Sequence, residues 1–335
     1  MKRVVWMFLV LCMCVTSCTM NKAPVSDQLE VHYIDVGQAD CIFLRCSGQT
    51  MLIDGGNVDD SDLVVSYLLD QGVSKLDYVV NTHAHEDHVG GLPGVLAVFE
   101  TSNIWCPVTY YDSACFEDFL YYADQQDLPL FCPDPGTTYT LGQAEISVLG
   151  PVKEYEETND TSIILRVDHG RNSFLFTGDA ERQAEQDVLD EGYDVSSTVL
   201  KVGHHGSSTS TSYRWLREVA PQYAVIQVGK DNSYGHPHDE VMSRLRDADV
   251  TVYRTDLQGH IVCVSDGETV SFAAKRTAPV TNPTKKEEQF VGNRNSKKFH
   301  LTTCDGLPQK ENRVYFDSYD EAIEQGYSPC GNCMG

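Results

Sequence analysis

Apolar residues in this chain fall into short runs, most of them closed by glycine, asparagine, aspartate or histidine, with amphipathic stretches in between. Residues 29–36 and 41–45 read as two strands separated by the turn Gly37-Gln38-Ala39-Asp40, and a third run, residues 51–53, stops at Asp54-Gly55-Gly56. Leu63, Val64, Tyr67 and Leu68 recur at helical spacing, so a helix is expected to return the chain to the next strand, residues 76–81. Beyond Gly94 a helix runs through Phe99. Ile104-Trp105-Cys106 reads as a strand and residues 116–126 as a helix whose Phe116, Phe119, Tyr121 and Tyr122 are expected to pack rather than to stack bases. Further strands follow at residues 163–167, 173–179 and 197–202, and Val241 and Leu245 mark a later helix.

Several of these runs stop on metal-binding side chains. The strand at 76–81 leads into His83-Ala84-His85-Glu86-Asp87-His88, the run at 173 ends on Gly178-Asp179, and the run at 197 ends on His204-His205. Three imidazoles and a carboxylate in so short a segment suit Zn²⁺ or a similar divalent ion. A row of donors at strand ends is what a sheet with its site along one edge requires. Asp87 is also suited to cap a helix starting at His88. A fourth loop, Asn232-Ser233-Tyr234-Gly235-His236-Pro237-His238, adds His236 as a candidate substrate contact, while His238 is expected to be exposed and incidental.

The three donor segments together resemble the metallo-β-lactamase superfamily. The wording of Asp35-Val36-Gly37-Gln38-Ala39-Asp40, Ile53-Asp54-Gly55-Gly56, residues 200–207, Tyr234-Gly235-His236-Pro237 and Arg254-Thr255-Asp256 resembles the hydrolase domain of ComEC-type competence proteins. The resemblance covers about residues 29–273. It implies an α/β fold of the αββα sandwich type with one or two divalent ions, Zn or Mn, between the sheets. By motif, His83 and His85 would hold one ion, Asp87, His88 and one of His204 and His205 the other, and Asp179 would bridge them. His205 is the favoured ligand, which leaves His204, with Asp87 and His236, for catalysis or substrate contact. The superfamily often has a further histidine before the Gly-Asp strand, where this chain has Asn159-Asp160-Thr161-Ser162; either Asp160 substitutes as an oxygen ligand or the site favours Mn²⁺. His169 is better explained as a turn residue.

Charge and cysteine content then place the chain. Met1-Lys2-Arg3 and the apolar residues 4–15 form an export signal too short to span a bilayer. Val15-Thr16-Ser17-Cys18 resembles a bacterial lipobox, so a signal peptide of residues 1–17 is expected, with Cys18 lipidated, anchoring a tether of residues 18–28 to the outer face of the membrane. A plain signal-peptidase site is the alternative. The formal charge of −24 repels nucleic acid over most of the surface, so a polyanionic substrate must be met by local metal charge. Export permits disulfides, but Cys41, Cys46, Cys106, Cys115, Cys132 and Cys263 are equally suited to be buried thiols.

Residues 274–289 have the composition of a linker and residues 290–335 form a separate small module. His300-x3-Cys304 and Cys330-x2-Cys333 supply four soft ligands for a structural zinc, against a disulfide plus a free thiol as the alternative. The module resembles that of the Ada DNA-repair protein, with histidine replacing one cysteine. With nine basic and eight acidic residues from 274 onward, this tail is far less acidic than the rest, and Arg294, Lys297 and Lys298 are as suited to solvated surface as to phosphate contact.

The expected function is that of a lipid-anchored hydrolase using a metal-activated water, a phosphodiesterase or nuclease acting on DNA. A phosphorylcholine-type cell-envelope esterase and a non-catalytic DNA- or zinc-binding surface protein are the alternatives. No protein partner is implied.

Overall fold

The computed structural model describes residues 26–280, 290–302, 304–316 and 319–334. Cys18, its leader and residues 281–289 of the expected linker lie outside the described residues.

Among the described residues, one eight-stranded sheet has the order Val270–Ala274, Ile261–Ser265, Leu29–Tyr33, Ile42–Cys46, Gln49–Ile53, Tyr78–Val80, Ile104–Trp105, Leu130–Phe131. A seven-stranded sheet runs Thr251–Arg254, Tyr223–Ile226, Val199–Lys201, Asn172–Phe176, Ile164–His169, Ala144–Gly150, Thr138–Leu141. Alternation along each strand decides which layer a residue fills. Val31, Tyr33, Met51 and Ile53 meet Ile146, Phe174, Phe176 and Val199 between the sheets. Phe43, Leu52 and Val79 face the helices Ser61–Asp70, Leu92–Val98 and Ala114–Asp124. Leu175, Leu200 and Ala224 face Arg182–Glu191, Tyr213–Val219 and Asp239–Asp247. The result is four layers, αββα.

Local chemistry sets the helix starts. The Ser113 hydroxyl accepts from Phe116 N and the Ser212 hydroxyl from Trp215 N, each satisfying an otherwise orphaned donor. Phe116 and Phe119 are fully buried, while Tyr121 is exposed. The short helix after the histidine motif spans Glu86–Val89 with His85 at its N-cap. Asp87 therefore lies inside that helix and does not cap it, which frees its carboxylate for the site.

Gly55 lets the Asp54 loop press against this helix: a Cβ there would stand 2.6 Å from Leu92 N, and Gly55 N donates to His88 O at 2.7 Å.

The C-terminal module is a four-stranded sheet in the order Arg313–Phe316, Phe290–Asn293, Lys298–Leu301, Ser328–Pro329. Its core of Phe290, Phe299, Phe316, Ala322 and Tyr327 includes Tyr213 of the large domain. The Tyr213 ring stacks on Tyr319 at 5.4 Å. No helix among the described residues is long and apolar enough to cross a membrane.

Candidate metal centre

Asp87, His88, Asp179 and His205, drawn from three strand ends, each place one ligand atom within 4.8 Å of the others. His205 Nε2 is 3.2 Å from Asp87 Oδ2 and 3.5 Å from Asp179 Oδ2, and His88 Nε2 is 3.4 Å from Asp179 Oδ2. Donors around a tetrahedral zinc with bonds near 2.0–2.1 Å stand roughly 3.3 Å apart, so the spacing fits an ion. Two buried atoms, His88 Nε2 and Asp179 Oδ1, have no hydrogen-bond partner. Buried polar atoms are rarely left so, and a cation would satisfy both.

The other ring nitrogens are held from behind. His88 Nδ1 lies 2.9 Å from Asp54 Oδ2, and the Thr82 N–H and hydroxyl both donate to Asp54 at 2.7 Å. His205 Nδ1 lies 3.1 Å from Gln227 O and 3.2 Å from Asp40 Oδ1. Asp40 in turn pairs with the fully buried ammonium of Lys201 at 2.7 Å. Such contacts fix ring orientation and raise ligand basicity. Burial alone would raise the Asp179 carboxyl, but His88 and His205 hold it well below the usual range. Burial would lower His205, but Asp179 and Asp40 bring it up to about 10. The two shifts are reciprocal: each expresses the imidazoles and carboxylates packed against one another.

His83 Nε2 and His85 Nδ1 are 3.1 Å apart. Among the described residues no third histidine, cysteine or acid completes a cluster around them. Asp160 does not substitute. Its Oδ1 accepts from Glu181 N at 2.9 Å, at the start of helix Arg182–Glu191. Asn159 lines the site instead, with a buried Oδ1 that lacks a hydrogen-bond partner.

Backbone conformation separates the paired histidines, although His204 Nε2 also stands 3.7 Å from Asp179 Oδ2. His204 and His205 have φ of 50° and 52°, a left-handed turn that sends the two rings different ways. His205 is buried in the cluster, while His204 lines the cavity with Nδ1 3.3 Å from Glu181 Oε1. The cavity, about 360 Å³, is lined by Gln38, His85, Glu86, Asp87, Asn159, Asp179, His204, His205, Tyr234 and His236. A roomier cleft of about 710 Å³ beside Leu96 and Tyr122 is lined by no cluster of metal donors. Burial, with His238 and His204 nearby, pushes His236 down to about 4.

Two histidines behave differently from expectation. His238 is half-buried and caps helix Asp239–Asp247, its Nδ1 accepting from Ser208 N at 2.9 Å. His169 is the last residue of its strand, buried, and bonded to Ser265 Oγ and Asp27 O at 2.9 Å each. Asp40, Asp54 and Lys201 received no role from sequence; the available signals were the strand-to-Asp-Gly junction at Asp54 and a lysine inside an apolar strand at Lys201.

In the C-terminal module His300, Cys304, Cys330 and Cys333 converge within 4.8 Å. No disulfide joins these cysteines, and Cys41, Cys46, Cys106, Cys115, Cys132 and Cys263 are likewise free thiols.

Residues 34–230 match the family described as the metallo-beta-lactamase superfamily, and the chain belongs to it. Residues 276–334 match the metal binding domain of Ada. The chain is 28% identical to ComE operon protein 3 of Bacillus subtilis over 71% of its own length and 33% of that protein's. It is 31% identical to competence protein ComA of Neisseria gonorrhoeae over 67% of its own length and 30% of that protein's. The chain thus spans about a third of the curated relatives it matches. The metallo-beta-lactamase fold protein YhfI from Bacillus subtilis shares the fold, with a TM-score of 0.50 at 15% identity, covering 72% of this chain and 100% of that one. The protein is a metallo-beta-lactamase-fold hydrolase related to competence proteins, with metal-binding sites in its hydrolase domain and a Cys/His zinc site in its C-terminal module.

Proposed function

We propose that this hydrolase is a phosphodiesterase that cleaves DNA, exported and tethered to the outer face of the membrane through Cys18. The observation that carries the reading is the four-donor cluster of Asp87, His88, Asp179 and His205 on the floor of a polar cavity open to solvent. The relation to competence proteins supports DNA as the substrate. The basic start of the chain, its apolar segment and Cys18 support export and anchoring.

Asp87, His88, Asp179 and His205 would hold one ion, and His83 and His85, 3.1 Å apart, would contribute to a second. Divalent ions bound there supply a nucleophile from water at neutral pH and neutralise charge on attacking and leaving oxygens. Asp87, half-buried at the cavity edge, is placed to take a proton from the incoming water. His204, braced by Glu181, and the uncharged His236 face the same space and orient the phosphodiester. Asp54, Asp40 and Lys201 hold the histidine rings so that little reorganisation is needed during reaction.

The test is hydrolysis of single- and double-stranded DNA, compared with bis-p-nitrophenyl phosphate and phosphorylcholine esters, with metal content measured on the same samples. Divalent-metal-dependent DNA cleavage that collapses in both Asp87→Ala and His85→Ala is expected. Full activity in both purified variants removes the assignment, and turnover of phosphorylcholine esters alone moves it to envelope chemistry.

A further inference from the structure

The cavity's outer wall carries an aromatic arrangement that the metal centre does not need. Tyr234 is 67% exposed although its ring lines the cavity. It stacks on His236 at 5.6 Å and 24°, and His236 lies near-parallel to His205 at 6.5 Å and 26°. Three rings therefore follow one another from solvent to the metal-facing histidine. Among the described residues, no other ring stacks on Tyr234.

The loop bearing these rings is held by hydrogen bonds. Asn232 donates to Gly229 O and His236 O, while its Oδ1 accepts from Tyr234 N and His236 N. His238 N donates to Gly206 O at 2.9 Å, and His238 Nε2 reaches Tyr234 O at 3.2 Å. Gln38 Nε2 lies 3.4 Å from His236 Nδ1, and Gln38 Oε1 accepts from Gly229 N. An exposed aromatic on a backbone fixed this way is pre-organised, so little ordering entropy is lost when a flat ligand lands on it.

Charge narrows the choice of ligand. Among the described residues no lysine or arginine lines the cavity, whereas Glu86, Asp87 and Asp179 do, on a chain of formal charge −24. Beyond the bound cations, a polyanion must be gripped through uncharged contacts. Stacking is the one such contact that every nucleobase offers, worth about 1–3 kcal/mol per base.

We propose that Tyr234 and His236 form a stacking platform for the nucleobase adjacent to the scissile phosphate of a single-stranded or unpaired substrate. This deepens the phosphodiesterase reading and rests on it. The platform sets where along a strand the metal centre acts and favours nucleotide phosphodiesters over esters without a base. Tyr234 is then a specificity-determining residue, and its phenol hydroxyl is dispensable.

Binding without hydrolysis tests it. Fluorescence anisotropy would compare a short single strand with an abasic strand of equal length, both carrying hydrolysis-resistant phosphorothioate linkages, on the otherwise unaltered full chain. The base-bearing strand is expected to bind about tenfold tighter. Tyr234→Ala should erase that preference, while Tyr234→Phe and Tyr234→Trp keep it, all with unchanged metal content. Equal affinity for the two strands, or a preference that survives Tyr234→Ala, overturns the platform. A base preference in a chain whose native form never cuts DNA keeps the platform and sinks the phosphodiesterase reading. DNA cleavage with no base preference does the reverse.

Discussion

Two of the donor clusters among the described residues are built in opposite ways. In the hydrolase domain, Asp87, His88, Asp179 and His205 sit at the ends of strands whose interiors fill three apolar layers. The scaffold is held by that core and by buried pairs such as Lys201 with Asp40, so the ligands are in place because the sheets are. In the C-terminal module, a small sheet shares a few aromatic residues with Tyr213 and draws His300, Cys304, Cys330 and Cys333 together. So small a core leaves a chain of that size marginal, and an ion on the four donors would supplement it. A large core positions metal ligands; a small one is positioned by them.

Stripping the ions is the widest test of that contrast. Structural zinc contributes about 10–16 kcal/mol to small domains. Cys330→Ser or strong chelation is therefore expected to melt the module while the hydrolase domain keeps a cooperative thermal transition, as calorimetry and limited proteolysis would report. Simultaneous loss of both would show that the hydrolase scaffold is also metal-made.

Next in size, Lys201→Met leaves the buried Asp40 carboxylate without its ammonium partner and with only the His205 ring beside it, a loss of up to about 3–5 kcal/mol. Metal affinity at His205 should fall with it by about 10–100-fold. A combined Lys201→Met and Asp40→Leu change should regain stability but not affinity, measured by denaturation and metal titration. Asp179→Ala is expected to lower turnover by roughly a hundredfold or more, in line with removing a group that stabilises the reacting charge, while the melting temperature of the metal-free domain barely moves.

The smallest effect is a pH slope. Burial brings the Glu185 carboxyl up to about 7, against backbone N–H donation from Ser212 and Thr211. Because the folded state holds this proton more tightly than the unfolded one, its contribution is fully present below pH 4.5. That contribution is lost as pH rises through about 7. The loss amounts to at most about 3 kcal/mol. Glu185→Gln should flatten the wild-type fall in melting temperature between pH 5 and 7, and an unchanged slope would show that the shift belongs to other groups.

Much of the candidate site was legible because its donors are consecutive or end apolar runs: the histidine motif, Gly178-Asp179 and His204-His205 all announce themselves. What escaped was whatever depends on direction rather than spacing. Asp160 and Asn159 are neighbours, and only the fold turns the first onto a helix start and the second into the cavity. His238 reads as idle until its ring is seen accepting from Ser208 N. Asp87 reads as a cap until the helix is seen to begin two residues earlier than expected, at Glu86.

The sequence by itself determined the class of fold and the kinship to metallo-beta-lactamase and Ada-type metal-binding families, and it named the candidate donor side chains. Apolar periodicity and donor chemistry are properties of residue order, and they survive without coordinates. Tertiary structure alone decided which of two adjacent histidines enters the cluster, which buried acids brace the rings, and that Tyr234 faces the cavity. Those choices turn on backbone dihedrals and on side chains from strands far apart in the chain, which meet only when the two sheets close on each other.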